Sequence, residues 1–207
     1  MAYDLEEQEQ IDEFKAWWKR YGNLLINLII ALLVAYSAVQ AWKYYQSKQS
    51  AEASSLYQAL TQINIADVKT IKTQSAKLIE NYKGTPYAGR AALLVAKANY
   101  AANDSKSAKA QLEWAAKNAK ESAIQAMASL QLAGILAEDK NYDAALKILS
   151  DSQDAGFAGL NADLKGDIYV AQGKIAEARK SYQEALTKLD ARGRYHQYTS
   201  EKLEALG

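Results

Sequence analysis

Catalytic chemistry has few candidate residues in this chain. His196 is the single histidine and cysteine does not occur. A His-containing triad, a thiolate nucleophile, an HExxH zinc site and any Cys-based metal site therefore lack their residues within one chain. Carboxylates remain: Asp139, Asp143, Asp163 and Asp167 fall on expected helices or at their caps, where such acids form a solvated face. No Gly-rich phosphate loop or EF-hand spacing accompanies them. The stretch from Gly84 to Tyr87 reads as a turn into a helix, with Pro86 in the first turn. Asn103-Asp104-Ser105 has the form of a glycosylation acceptor, a triplet frequent by chance that matters only in a eukaryotic secretory setting. The sequence thus reads as a non-enzyme with no cofactor and no metal, and the residues of interest are those that would bind.

The elements that must position them are helices. Ala, Leu, Lys, Gln and Glu dominate, Pro86 is the only proline, and no sustained Val/Ile/Thr alternation appears. The expected fold class is all-α, with helices near 67–82, 87–102, 105–119, 122–138, 142–152, 160–172 and 175–190 and a short one at the C-terminus. Gly166, Tyr169, Gly173, Ala178, Tyr182 and Ala185 match the second part of the tetratricopeptide pattern, whose period is about 34 residues. Small residues at Gly166 and Ala178 let two helices approach, Gly173 supports the turn, and the tyrosines fill the gap. The tryptophan and proline positions of the pattern hold Ala162 and Asp190. Weaker copies are Ala133, Leu136, Tyr142, Ala145, Leu149 and, earlier, Ala96, Ala108, Leu112, Ala115. Ala108 and Ala145 are 37 residues apart, and Ala145 and Ala178 are 33 apart. About three repeats are expected, the least that makes a stable stack. An alanine-rich bundle without true repeats would show some of the same small residues.

In a tetratricopeptide stack the first helix of each hairpin lines the concave face. By register that face presents Arg90, Leu93, Lys97 and Tyr100, then Met127, Leu130 and Glu138, then Asp163 and Asp167. Apolar and aromatic centres flanked by charges suit extended or helical segments of another protein. The same spacing also serves core between repeats, and both readings stay open for each residue.

The binding domain follows an apolar stretch. Between Arg20 and Lys43 the only ionisable groups are two tyrosines, over a length that suffices to cross about 30 Å of hydrocarbon as a helix. Trp17, Trp18 and Tyr21 precede the stretch and Trp42, Tyr44 and Tyr45 follow it, as rings at a membrane interface would. A buried core helix would show a polar face, and a cleavable signal peptide would have a shorter, basic leader. The expected organisation is a cytoplasmic tail at 1–20, a transmembrane helix at 21–42, a stalk helix at 43–64 and a tetratricopeptide-like periplasmic domain at 65–207. Lys15, Lys19 and Arg20 before the span, against Lys43 and Lys48 after it, lean towards a cytoplasmic N-terminus. In a bacterium the rest would then be periplasmic.

Asn23, Asn27, Ala31 and Ala35 recur every fourth residue along the span, with Ala38 nearby, which puts amides and small side chains on one face. Such a lane suits a packing helix in lipid, while asparagine near the interface and tolerated alanines would give the same letters. Residues 43–207 carry a mild basic excess without a clustered stripe, so no nucleic-acid partner is expected.

Several segments together resemble the YfgM family, the ancillary subunit of the bacterial SecYEG translocon. They are the charged start running into FKAWWKRYGN, the span followed by AWKYYQS, the repeat QLAGILAEDKNYDAALKIL, and GFAGLNADLKGDIYVAQGKIAEARKSYQEAL. The resemblance implies a single-pass inner-membrane protein in the lipid bilayer that associates with the SecYEG translocon. It further implies a membrane-anchored periplasmic chaperone of the prolyl-isomerase-like type as partner, and exported client proteins. No catalytic residues come with it. Two functions stay open: a translocon-linked adaptor or chaperone, and a membrane-tethered scaffold for envelope assembly or division without client binding.

Overall fold

The computed structural model describes residues 2–152 and 154–207, with side chains from Glu7 onward. Its regular structure is helical throughout, and the chain divides into two compact units, residues 1–48 and 49–207. Helix α1, Ala2–Thr61, serves both: its first part is the whole of the first unit and its last turns belong to the second.

In the first unit, α1 contains a window of mean hydropathy 2.2, none of it buried, long and apolar enough to cross a membrane. At about 1.5 Å per residue, the uncharged stretch 21–42 covers roughly 33 Å, a hydrocarbon thickness. Aromatic side chains collar its start: Phe14 stacks on Trp17 and Trp18 at 6.1 and 6.2 Å, and Trp17 meets Tyr21 at 5.9 Å. Trp42 and Tyr45 pair at 6.3 Å at the other end.

The second unit is a run of helical hairpins: α2 Val68–Asn81, α3 Pro86–Ala101, α4 Ser105–Asn118, α5 Ser122–Glu138, α6 Tyr142–Asp151, α7 Ala158–Ala171, α8 Ile175–Lys188 and α9 Arg194–Glu204. A single 3-10 turn, Ala155–Phe157, precedes α7. These spans agree with the sequence expectation to within two residues at most ends. Local chemistry sets the boundaries. Asp67 and Asp104 accept from the backbone N–H of Thr70 and Ser107, each at 3.1 Å, and so cap α2 and α4. Pro86 opens α3, where its missing N–H costs nothing.

The pairs α3/α4, α5/α6 and α7/α8 share one turn. Asn103 (φ 61°), Lys140 (φ 61°) and Gly173 (φ 74°) each take the left-handed conformation. The next residue's N–H then closes back on a carbonyl of the helix's last turn. Asp104 N to Asn99 O is 2.9 Å, Asn141 N to Leu136 O is 2.8 Å, and Lys174 N to Tyr169 O is 2.9 Å. This is a Schellman closure repeated three times at the spacing of the alanines.

The second helix of each hairpin buries the same rungs: Ala108, Leu112, Ala115 on α4; Ala145, Leu149 on α6; Ala178, Tyr182, Ala185 on α8. α2 continues the series with Ile71, Ser75 and Leu78. The helix it pairs with is the end of α1, whose Ala53 and Leu60 are fully buried beside Ile71, Leu78, Ala91 and Val95. The stretch read from sequence as a stalk therefore divides, because Gln49–Thr61 supplies the opening helix of an additional hairpin. Its alanine and serine content hides a core face of Ala53 and Leu60, flanked by partly buried Leu56 and Tyr57.

Candidate protein-binding groove

One groove of about 590 Å³ opens along α3 and α5. Its wall contains Arg90, Leu93, Lys97 and Tyr100 from α3 and Met127 and Glu138 from α5, six of the residues that register places on the concave face. They converge because residues three and four apart share one side of a helix, and successive first helices stack side by side. Leu94, Ile124, Gln131 and Gly134 also line it, as does Tyr57 from the end of α1. Gln131 and Gly134 lie on the face of Met127 at i+4 and i+7, so the spacing already contained them. Tyr57 was hidden because its helix was read as a stalk.

The charged groups of the groove are mostly held from within. Arg90 grips Glu121 with both arms, Nε to Oε2 at 2.9 Å and Nη2 to Oε1 at 2.6 Å, and its guanidinium lies 5.7 Å from the Tyr87 ring centre. The hydrogen bonds to Glu121 raise the Arg90 pKa above its ordinary value. The Tyr100 hydroxyl donates to Glu138, which raises the phenol's pKa. At neutral pH the groove thus presents a fixed cation and a protonated phenol, groups that bind and position rather than shuttle protons.

The remaining expected site residues lie elsewhere. Leu130 is partly buried against Ala133, Ala145, Leu149 and Ile168, as core between hairpins. Asp163 and Asp167 face α9: Lys202 Nζ donates to Asp163 Oδ2 and to Asp167 Oδ2, each at 2.8 Å. Thr199 donates to Asp163 at 2.8 Å and the Tyr182 hydroxyl to Asp167 at 2.7 Å. Burial opposes the Lys202 charge, yet the hydrogen bonds it donates to the two aspartates outweigh burial and its pKa is raised. Burial, followed by the bond to Asp167, pushes the Tyr182 hydroxyl up as well. This cluster latches the terminal helix onto the stack.

On α1, Asn23, Asn27, Ala31, Ala35 and Ala38 are all exposed. Gly22 is covered instead, since a β-carbon there would stand 3.0 Å from the Trp18 ring. Among the described residues no three His, Cys, Asp or Glu side chains come together as a metal site would need.

Residues 15–207 match the family described as a tetratricopeptide repeat-like domain. An ancillary SecYEG translocon subunit of Neisseria gonorrhoeae is 35% identical over 191 residues, covering 91% of each chain. The Haemophilus influenzae protein of that description is 29% identical over 188 residues, covering 89% of this chain and 91% of its own. That of Escherichia coli is 29% identical over 181 residues, covering 86% and 85%.

Proposed function

Because this chain belongs to the tetratricopeptide repeat-like family of ancillary SecYEG translocon subunits, we propose that it is a non-enzymatic adaptor of the inner membrane with chaperone-like action. Its apolar α1 segment holds it beside the translocon with the N-terminus in the cytoplasm. The hairpin stack stands in the periplasm, where the α3/α5 groove takes a membrane-anchored chaperone or an emerging exported protein. Convergence of Leu93, Lys97, Tyr100, Met127 and Glu138 on one groove carries this reading. A stack of hairpins offers continuous surface without a reaction centre, which suits polypeptide rather than small-molecule ligands.

Photoreactive side chains at Tyr100 and Met127, which are 43% and 38% exposed, test the reading in cells. Capture of exported proteins or of a periplasmic chaperone is the expected outcome. A single stable envelope protein captured at both positions would replace it with the scaffold reading. Placement has its own check: the stack should resist added protease until the outer membrane is opened. Digestion only after the inner membrane is lysed would overturn the periplasmic assignment.

A further inference from the structure

A β-carbon added at Gly22, Gly89, Gly159 or Gly166 would meet Trp18, Ala119, Leu189 or Tyr182 at 3.0 Å or less, so close packing within the chain accounts for these helical glycines. Gly134, about one turn before the C-terminal end of α5, is different: among the described residues a β-carbon there would meet nothing within 4 Å. Glycine lowers helix stability relative to alanine, and no contact among the described residues offsets that loss at Gly134. The open space over it is the α3/α5 groove, which it lines. A bare helix surface facing a groove lets another main chain approach more closely than any side chain would.

Lys97 holds the equivalent position one hairpin earlier, 37 residues before Gly134, and lines the same groove. Arg90 is neutralised by Glu121, and Glu138 accepts the Tyr100 hydroxyl. Among the described residues, exposed Lys97 has neither an ion-pair nor a hydrogen-bond partner. The third member of this row, 33 residues after Gly134, is Asp167, and Lys202 supplies its opposite charge. At Lys97 the described residues supply none.

Building on the reading of this groove as a polypeptide-binding site, we propose that its occupant is an apolar segment carrying one carboxylate. Its main chain crosses α5 at Gly134, and its carboxylate pairs with Lys97. Leu93, Leu94, Ile124 and Met127 supply the apolar wall. Gln131, one turn before Gly134, offers an amide to the passing backbone. Glu138 repels a second acid, which restricts the segment to a single carboxylate rather than an acidic run.

The test uses the full chain in nanodiscs of neutral lipid and short fluorescent Ala/Leu peptides with a central Glu, Gln or Lys. The Glu peptide should bind about threefold more tightly than the Gln peptide, the effect of one exposed ion pair, and Lys97→Gln should erase that difference. Gly134→Ala should raise the thermal midpoint while weakening binding, and Gly134→Leu should weaken it about tenfold with the helical melt intact. Equal affinity for the three peptides, or unchanged affinity in both Gly134 variants, overturns the inference. Binding that survives Gly134→Leu but is lost in Leu93→Arg leaves the groove reading standing and removes this one. Absence of crosslinks at Tyr100 and Met127 removes the groove reading itself.

Discussion

The ring of Tyr182 lies over Gly166 so closely that a β-carbon on the glycine would stand 2.3 Å from Tyr182 Cε1. Tyr182 is 2% exposed and its hydroxyl is tied to Asp167, so the ring has no room to withdraw. Gly166→Ala gains helix propensity of about 1 kcal/mol but overpacks a fixed ring, and the overpacking wins. A net loss of about 1–2 kcal/mol is expected in urea denaturation followed by circular dichroism. At the equivalent places the other hairpins pair Ala96 with Leu112 and Ala133 with Leu149. The double change Gly166→Ala with Tyr182→Leu should therefore recover much of the loss, and failure to recover would show that the clash is not the cause.

Lys140 holds a left-handed turn where Gly173 holds its counterpart. A side chain in that conformation costs about 1 kcal/mol that glycine does not incur. Lys140→Gly should raise the thermal midpoint and Gly173→Ala should lower it, each by about 1 kcal/mol in stability. Changes in the opposite directions would mean that the turn is not set by backbone conformation.

Ser75 and Asn99, each 1% exposed, occupy rungs where the other hairpins carry large side chains, with Leu136 and Tyr169 equivalent to Asn99. Ser75 Oγ and Asn99 Oδ1 are buried and make no hydrogen bond within the described protein. Replacing an unsatisfied buried acceptor by a hydrocarbon of similar size removes a desolvation penalty of about 1–3 kcal/mol. Asn99→Leu should accordingly be neutral or raise the thermal midpoint, whereas destabilisation beyond about 1 kcal/mol would show that the polar pair is satisfied by solvent.

The α9 latch has a definite pH window. Lys202 and Tyr182 both have raised pKa values in the folded chain. A raised pKa contributes stability that is full below the unfolded value and is lost as pH rises through the folded one. The latch should thus hold across neutral pH and release above about pH 10, where unfolded tyrosine and lysine ionise. Amide exchange in α9 should report this. Lys202→Met should produce the same fraying at neutral pH, at a cost of about 1 kcal/mol, since the lysine is only partly withdrawn from solvent.

The lane on α1 gives a prediction for the membrane. Asn27→Leu combined with Ala31→Leu should reduce co-purification of the translocon core while leaving membrane insertion intact, because leucine removes both the amide and the close approach. Unchanged recovery would reject the lane as a packing face.

Much of this molecule was legible in its amino acids. Helix positions, the uncharged stretch 21–42 with its aromatic borders, and the recurring small residues at Ala108, Ala145 and Ala178 are local or periodic signals, and one sequence carries them. The concave row was legible as far as register reaches, which is why Arg90, Lys97, Tyr100 and Met127 meet in the groove. Register could not say what else competes for a side chain. Leu130 went to the core between hairpins, and Asp163 and Asp167 went to Lys202, 39 and 35 residues away in sequence.

The composition and spacing of this sequence by themselves determined an all-helical repeat chain with a membrane-length apolar segment, no cysteine and a single histidine. Tertiary structure decided three further things. The end of α1 joins the stack through Ala53 and Leu60, α9 is latched by its lysine, and Gly134 faces open space while the other helical glycines face neighbours. The division has a physical reason. Helix formation and repeat period depend on residues within one or two turns or one hairpin, and are written in the local pattern. Which face is covered, which charge is neutralised and which glycine is left bare depend on elements brought together from distant parts of the chain.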